Sequence, residues 1–324
     1  MLLLAIACFQ ESDSFSLATN EIQATDICGD TPSGSVMFPN DVAGHSELNE
    51  RWRWQARLDD GKKEYFSQVE ATWLSNTTWQ VYQSLAIPET GAFISSVNYF
   101  SGPAPGSSGL DLSLLGLTAT GGQGNDSVLV ETDDWNIFLD FSRGKAPMLF
   151  NGTGDMTFEE GMARGYTWTR MNVAASLVMA DNTQGTPIEL SGRGSMEHSW
   201  GDFSAVEASG WVRFALQLDD GRDLSIVYVP DQQNTVASAT LSDSLCWVSD
   251  VSQHVTVTPG SSWTSTGSAC SWPTSWTIKV GEDSFELSAP MSNQEVSSAD
   301  MQVWSGEVNV EGQGRGSVVA TGCF

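Results

Sequence analysis

Short segments that alternate apolar and polar side chains recur along most of the chain, each closed by Gly, Asp, Asn or Pro. This pattern limits what the chain can fold into. Trp52, Trp54, Ala56 and Leu58 alternate with Arg53, Gln55 and Arg57, and Trp79, Val81 and Gln83 begin another such segment. Trp135-Asn136-Ile137-Phe138-Leu139-Asp140-Phe141 is a third, and others occupy 212–218, 224–229, 255–258, 276–280, 285–289 and 303–310. Period-two alternation over so few residues suits half-buried strands, and the closing residues suit turns. No stretch keeps a helical period over eleven residues. The expected class is all-β, a sandwich or barrel protein, with loops at 101–109 and at Gly121-Gly122-Gln123-Gly124-Asn125.

One segment repeats. Trp52-Arg53-Trp54-Gln55-Ala56-Arg57-Leu58-Asp59-Asp60-Gly61 aligns with Val212-Arg213-Phe214-Ala215-Leu216-Gln217-Leu218-Asp219-Asp220-Gly221 at an offset of 160 residues. Both read as a strand followed by an Asp-Gly hairpin turn, whose central positions need positive φ. A calcium loop at 219–223 is the weaker reading. A repeat at half the chain length suggests two related β domains. With 324 residues, the chain is long enough to build each core without metal or disulfide support.

The formal net charge is −26, which disfavours nucleic acid and anionic membrane surfaces as partners. At 40% hydrophobic and 10% aromatic residues the chain can nevertheless bury a core. No run reaches eighteen apolar residues, so no transmembrane helix is expected.

The first residues, Met1-Leu2-Leu3-Leu4-Ala5-Ile6-Ala7-Cys8, are apolar, end in small residues and Cys, and lead into Gln10-Glu11-Ser12-Asp13. This resembles a bacterial lipobox, in which Cys8 would carry the lipid. Ala5 stands where Leu is usual, and no basic residues precede the run. The competing reading is an ordinary apolar N-terminus, or a signal cut further on. The lipobox reading implies export, with the chain lipid-anchored at the bacterial outer membrane or periplasmic. Residues 1–25 would then be signal, lipobox and tether.

Removing Cys8 leaves Cys28, Cys246, Cys270 and Cys323, which allow three pairings. Cys246 and Cys270 flank one Trp/Ser-rich excursion and are expected to pair, with Cys28 and Cys323 free to tie the two ends together. Five unpaired thiols in a cytosolic protein is the alternative. No Cys/His spacing of a zinc site occurs, so neither a metal nor another cofactor is expected. Signatures of serine hydrolases, zinc proteases and nucleotide-binding loops are likewise missing.

Five motifs follow one another in order. They are His45 with Glu50-Arg51-Trp52-Arg53-Trp54; Tyr166-Thr167-Trp168-Thr169-Arg170-Met171; Gly194-Ser195-Met196-Glu197-His198-Ser199-Trp200-Gly201; Trp272-Pro273-Thr274-Ser275-Trp276; and Trp304-Ser305-Gly306 with Thr321-Gly322-Cys323-Phe324. Together they resemble the two-domain lipocalin-like family of carotenoid 1,2-hydratases (CrtC type) and AttH-type secreted proteins. The resemblance implies two tandem lipocalin-like antiparallel β-barrel or sandwich domains, here placed at 26–205 and 206–324. It implies a hydrophobic small-molecule ligand, an isoprenoid or lipid, and an activity of hydro-lyase or cyclase type. There are departures. Arg51 and Arg53 replace aromatic residues, Glu197 replaces Asp, and the family's Tyr-x-Asp spacing is broken around Tyr228 and Asp231.

Hydration of an isolated alkene needs a proton donor, a stabilised cation and a delivered water. A carboxylic acid in an apolar pocket, Trp faces and a His can supply these. On a strand, His198 and Trp200 share one face and Glu197 takes the other. The expected catalytic residues are His198, Glu197 and Tyr228. The expected ligand-binding residues are Trp200, Trp52, Trp54, Glu50, His45, Tyr166 and Arg170. The competing reading makes His-x-Trp-Gly a packed domain seam and the Trp residues plain core. Ligand binding with or without chemistry is favoured over acid-catalysed hydration or cyclisation, and over a surface adhesion protein without ligand.

Overall fold

The computed structural model describes residues 34–45, 49–74, 77–158, 161–181, 185–202, 210–230, 235–245, 247–298 and 301–323. Cys8, Cys28 and Cys246 lie outside these residues, as does the tether. Twelve strands form the first sheet. They are β1 (Asn49–Asp59), β2 (Glu64–Leu74), β3 (Thr78–Ile87), β4 (Ala92–Ser101), β5 (Leu110–Leu114), β6 (Leu117–Gly122), β7 (Asn125–Glu131), β8 (Trp135–Ser142), β9 (Met148–Leu149), β10 (Asp155–Phe158), β11 (Gly161–Met179) and β12 (Ile188–Gly201). The order is β4-β3-β2-β1-β12-β11-β8-β7-β6-β5, with β9 and β10 on β11.

The second part has β13 (Trp211–Leu218), β14 (Asp223–Val229), β15 (Thr235–Ser242), β16 (Val248–Asp250), β17 (Val255–Pro259), β18 (Ser262–Thr264), β19 (Ser271–Pro273), β20 (Ser275–Val280), β21 (Asp283–Ser288), β22 (Glu295–Ser297), β23 (Gln302–Val310) and β24 (Gly314–Thr321). Its main sheet runs β16-β15-β14-β13-β24-β23-β21-β20-β17, and β18 pairs with β19. Among the described residues there is no α-helix. The all-β expectation is therefore borne out.

Among the described residues, each sheet is curled but not closed by hydrogen bonds. In the first, Val81 and Leu85 of β3 share one core with Leu110, Leu112 and Leu117 of β5 and β6, near the other end of the strand order. Gln83 ties the two edges, its Nε2 donating to the Gly116 carbonyl at 2.7 Å. The second core gathers Phe214, Ile226, Trp272, Trp276 and Trp304.

The repeat seen in the sequence is a repeat of position. β1 pairs with β2 and with the last strand of its sheet, β12. β13 pairs with β14 and with the last strand of its sheet, β24. Gly61 and Gly221 close the two hairpins at φ of 80° and 89°, the left-handed region that glycine enters without strain.

Both strands are buried on both faces. Trp52, Trp54, Ala56 and Leu58 fill the first core, and Val212, Phe214 and Leu216 the second. The intervening residues meet in a seam between the sheets. Glu197 pairs there with Arg213 and, at 3.4 Å, with Arg53, and Arg53 also reaches Glu70 at 2.7 Å. Ser317 donates to Gln55 at 2.7 Å, and Arg57 lies 2.9 Å from Glu307. Burial alone would raise the Glu197 carboxyl, but the guanidinium groups of Arg213 and Arg53 outweigh it and hold it below its ordinary value.

The cysteine expectation is corrected. Cys270 is bonded to Cys323, joining the excursion before β19 to the end of β24, so neither the Cys246–Cys270 nor the Cys28–Cys323 pairing stands. Cys270 sits at the rim of the second core, and the β23–β24 pairing brings the C-terminus to it. Sequence distance gave no hint of that.

The seam makes a direct prediction. Glu197→Gln leaves two buried guanidinium groups without their shared anion, which costs about 3–5 kcal/mol in urea unfolding. A loss below about 1 kcal/mol would show that the seam does not depend on this pair.

Candidate functional site

Strand pairing assembles the site from three adjacent strands. On β1 and β12, Glu50 stands opposite Trp200 and Trp52 opposite His198. On β11, Tyr166 stands opposite His198 from the other side. All of these side chains share the inward face of the first sheet. The lead-in 34–45 crosses above them. Val36 and Val42 join the core, and Phe38 packs edge-on against Tyr166 with ring centroids 4.8 Å apart. Val42 lies over Gly122, where a Cβ would come within 2.3 Å of its Cγ1.

Glu50 is the hub and is fully buried. Its Oε1 lies 2.6 Å from His198 Nε2 and 2.8 Å from His45 Nδ1, and its Oε2 accepts the His45 backbone N–H at 2.7 Å. The far side of each ring is also engaged. His45 Nε2 is 3.3 Å from Asp41 Oδ1, and His198 Nδ1 is 3.1 Å from the Asp41 carbonyl and 3.2 Å from the Tyr166 hydroxyl. Trp200 stacks on His45 at 4.1 Å, and Trp52 stacks on His198 at 4.7 Å. His198 is fully buried, whereas the His45 side chain keeps 23% exposure.

The electrostatics follow. Burial by itself raises the Glu50 carboxyl, but hydrogen bonds from His198 and His45 outweigh it and hold it below its ordinary value. Burial by itself lowers His45, and Glu50 and Asp41 reverse that to leave it raised. The Tyr166 hydroxyl is pushed well above its usual range by burial and by nearby carboxylates.

Sequence reasoning missed Asp126, Asp41 and Phe38. Asp126 lies on β7, turned inward with Val128 and Val130. It accepts the Trp54 indole N–H at 3.0 Å and the Gly122 N–H at 2.9 Å. Burial pushes its carboxyl up to about 6, because these two donors offset the lost hydration only in part. An acid on the apolar face of an alternating strand was the available signal. Among the described residues four buried indole N–H groups have no acceptor, those of Trp52, Trp73 and Trp168 in the first core and Trp276 in the second.

The structure thus brings His198, Trp200, Trp52, Trp54, Glu50, His45 and Tyr166 to one interior. It leaves three expected residues elsewhere. Glu197 faces the seam and is held there by arginines, so it is not beside His198's ring. Arg170 sits at a bulge in β11 with φ of 52° and pairs with Asp223 of the second sheet at 2.7 Å. Tyr228 is buried in the second core. For Glu197 and Arg170 the physical origin is the same, because the outward face of their strands belongs to the seam, whereas Tyr228 faces the interior of the second sheet. His45, Glu50 and His198 are also the group that could hold a metal ion, with one ligand atom from each lying within 4.8 Å of the others.

Two hollows open along the seam. One, of about 290 Å³, is bordered by Arg57, Phe66, Arg193 and Gln217. The other, of about 380 Å³, is bordered by Arg53, Tyr82, Tyr99 and Trp211. Neither is lined by His198 or Glu50.

A family model described as AttH-like matches residues 111–322. Among solved structures, an AttH protein from Nitrosomonas europaea superposes with a TM-score of 0.80 at 19% identity, covering 91% of this chain and 99% of that one. Kievitone hydratase from Nectria haematococca superposes with a TM-score of 0.77 at 17% identity, covering 91% and 96%. At these identities the likeness shows the fold, a two-part lipocalin-like architecture. No curated protein matches the chain by sequence. The resemblance read from the motifs is borne out for fold and family.

Asp126 gives the site a pH signature. Its folded pKa of about 6 exceeds the 3.8 of the exposed group, so the native state holds a proton that the unfolded state has lost between those values. Stability falls by about 3 kcal/mol as pH rises through that window and is level above it. Asp126→Asn should flatten this slope in urea titrations from pH 4 to 7. An unchanged slope would place the raised carboxyl elsewhere.

Proposed function

The chain belongs to the AttH-like family, and from that premise we propose that it binds a hydrophobic small molecule, an isoprenoid or lipid, and adds water across an isolated double bond in it. The observation that carries the reading is the buried His198–Glu50 pair set in an aromatic wall with a protonatable acid, Asp126, on the same inward face. In this reading Asp126, protonated near its raised pKa, gives its proton to one alkene carbon. The faces of Trp52 and Trp54 stabilise the resulting cation. Water bonds to the other carbon and loses a proton to the His198–Glu50 pair, which releases it to solvent as Asp126 takes one up from solvent. The net change is addition of one water. The indole N–H groups of Trp52, Trp73 and Trp168 are donors awaiting an acceptor, which suits a bound molecule with a polar end.

A second reading places the ligand in the seam. The 380 Å³ hollow favours it, because Tyr82, Tyr99 and Trp211 offer aromatic walls and Arg51 and Arg53 lie 5.3 and 5.1 Å from the Trp211 ring. Work outside the cytosol belongs to the same proposal. The Cys270–Cys323 bond supports it, since such bonds persist in oxidising compartments.

The test starts from molecules extracted from the purified protein and identified by mass spectrometry. Incubated with the protein in oxygen-18 water, the alkene should gain the mass of one labelled water, and His198→Ala and Asp126→Asn should each abolish the gain. A bound molecule that returns unaltered would overturn hydration and leave binding. An empty extract, with no binding of isoprenoid probes, would overturn both.

A further inference from the structure

We propose that His45, Glu50 and His198 form a binding site for one divalent transition-metal ion, with Zn²⁺ the best match to the ligand set. The inference stands whether or not an alkene is hydrated, and an ion held by His198 and Glu50 would take the place of their proton-accepting role in the proposed hydration. Its basis is the direction of the lone pairs. His198 Nε2 and His45 Nδ1 both face Glu50 Oε1, at 2.6 and 2.8 Å. Their far nitrogens face the Asp41 carbonyl and the Asp41 carboxylate, groups that only accept hydrogen bonds. In the tautomers that donate outward to Asp41, the rings turn bare lone pairs inward, toward a carboxylate that also only accepts. Three acceptors facing one another inside a closed interior need a cation between them.

Two imidazoles and one carboxylate are the donor set of many three-ligand zinc sites, and they leave further positions open. An outward N–H bond from each ring to a carboxylate or a carbonyl is the usual support of a metal-bound His. Here one residue, Asp41, supplies both. The rings are held in place by stacking on Trp200 and Trp52. The ligand atoms spread over no more than 4.8 Å. The part-exposed edge of His45 gives an ion a way in. Spacing in the sequence hides the site, because His198 reaches Glu50 only through the β1–β12 pairing.

The competing occupant is a proton. The Tyr166 hydroxyl, 3.2 Å from His198 Nδ1, can donate to that nitrogen instead of Asp41 accepting from it. Nε2 would then carry the hydrogen toward Glu50, and His45 would be an imidazolium.

Metal content separates the two. Tag-free full-length protein is stripped with EDTA, dialysed and titrated with Zn²⁺ or Co²⁺. The expected result is one equivalent per chain by elemental mass spectrometry, with Co²⁺ giving the visible absorption of a low-symmetry site. His45→Ala, at the part-exposed ligand, should lower affinity by more than about 100-fold, and Asp41→Asn by about 10–100-fold. Circular dichroism and melting temperature report whether either variant stays folded. Should His45→Ala fail to fold, His45→Gln serves in its place. No bound metal in the wild type, or one equivalent held equally by wild type and a folded His45 variant, overturns the proposal.

Discussion

Glu197 sits between Arg53 and Arg213, and the relation of the two half-barrels depends on that contact. The two arginines are the same position of the repeat, 160 residues apart, so a single carboxylate on β12 answers both copies. A charged seam is an expensive way to join two sheets, since each ion must leave water. What the chain gains is direction. A strand carrying Trp on one face and Arg on the other cannot invert without burying arginine in an apolar core and exposing indole. The ion pairs therefore fix which face of β1, β12 and β13 turns inward. Glu307, which has one arginine rather than two and carboxylates nearby, shows the cost: burial pushes it up to about 7 even with Arg57 beside it.

Because the seam consumes the outward faces, the inward face of the first sheet is where β1, β11 and β12 present chemistry. Glu50, His198, Tyr166 and Trp200 converge there, and the lead-in is bound over them through His45 and Asp41. Site and cover are therefore one network. Weakening the bonds to Asp41 or His45 loosens the cover as well as altering the electrostatics beneath it.

The fold was legible because its signal is local. Alternation, Asp-Gly turns and the repeat all act within one hairpin, and each survives into the structure. The inward set of the site was legible for the same reason, since Trp52 and Trp54, or His198 and Trp200, share a face by strand periodicity alone. Glu197, Arg170 and Tyr228 lie away from that set because their placement depends on what lies across the sheet. A buried carboxylate near a His motif looks the same in sequence whether it faces substrate or arginine. The Cys270–Cys323 bond was hidden for a related reason, as it depends on where β24 ends in space. Asp126 was readable but unweighed, an acid on the apolar face of a seven-residue strand.

The account's central claim is that the interior of the first half-barrel receives an apolar ligand. The most direct measurement is a two-dimensional ¹H–¹⁵N spectrum of the indole N–H groups of the thirteen tryptophans, assigned by substitution and titrated with farnesol. The account predicts that the resonances of Trp52, Trp73 and Trp168 move as their orphaned donors gain an acceptor, while those of Trp272 and Trp304 stay fixed. Movement confined to Trp211 would place the ligand in the seam, and a spectrum unchanged at saturating farnesol would contradict the claim outright.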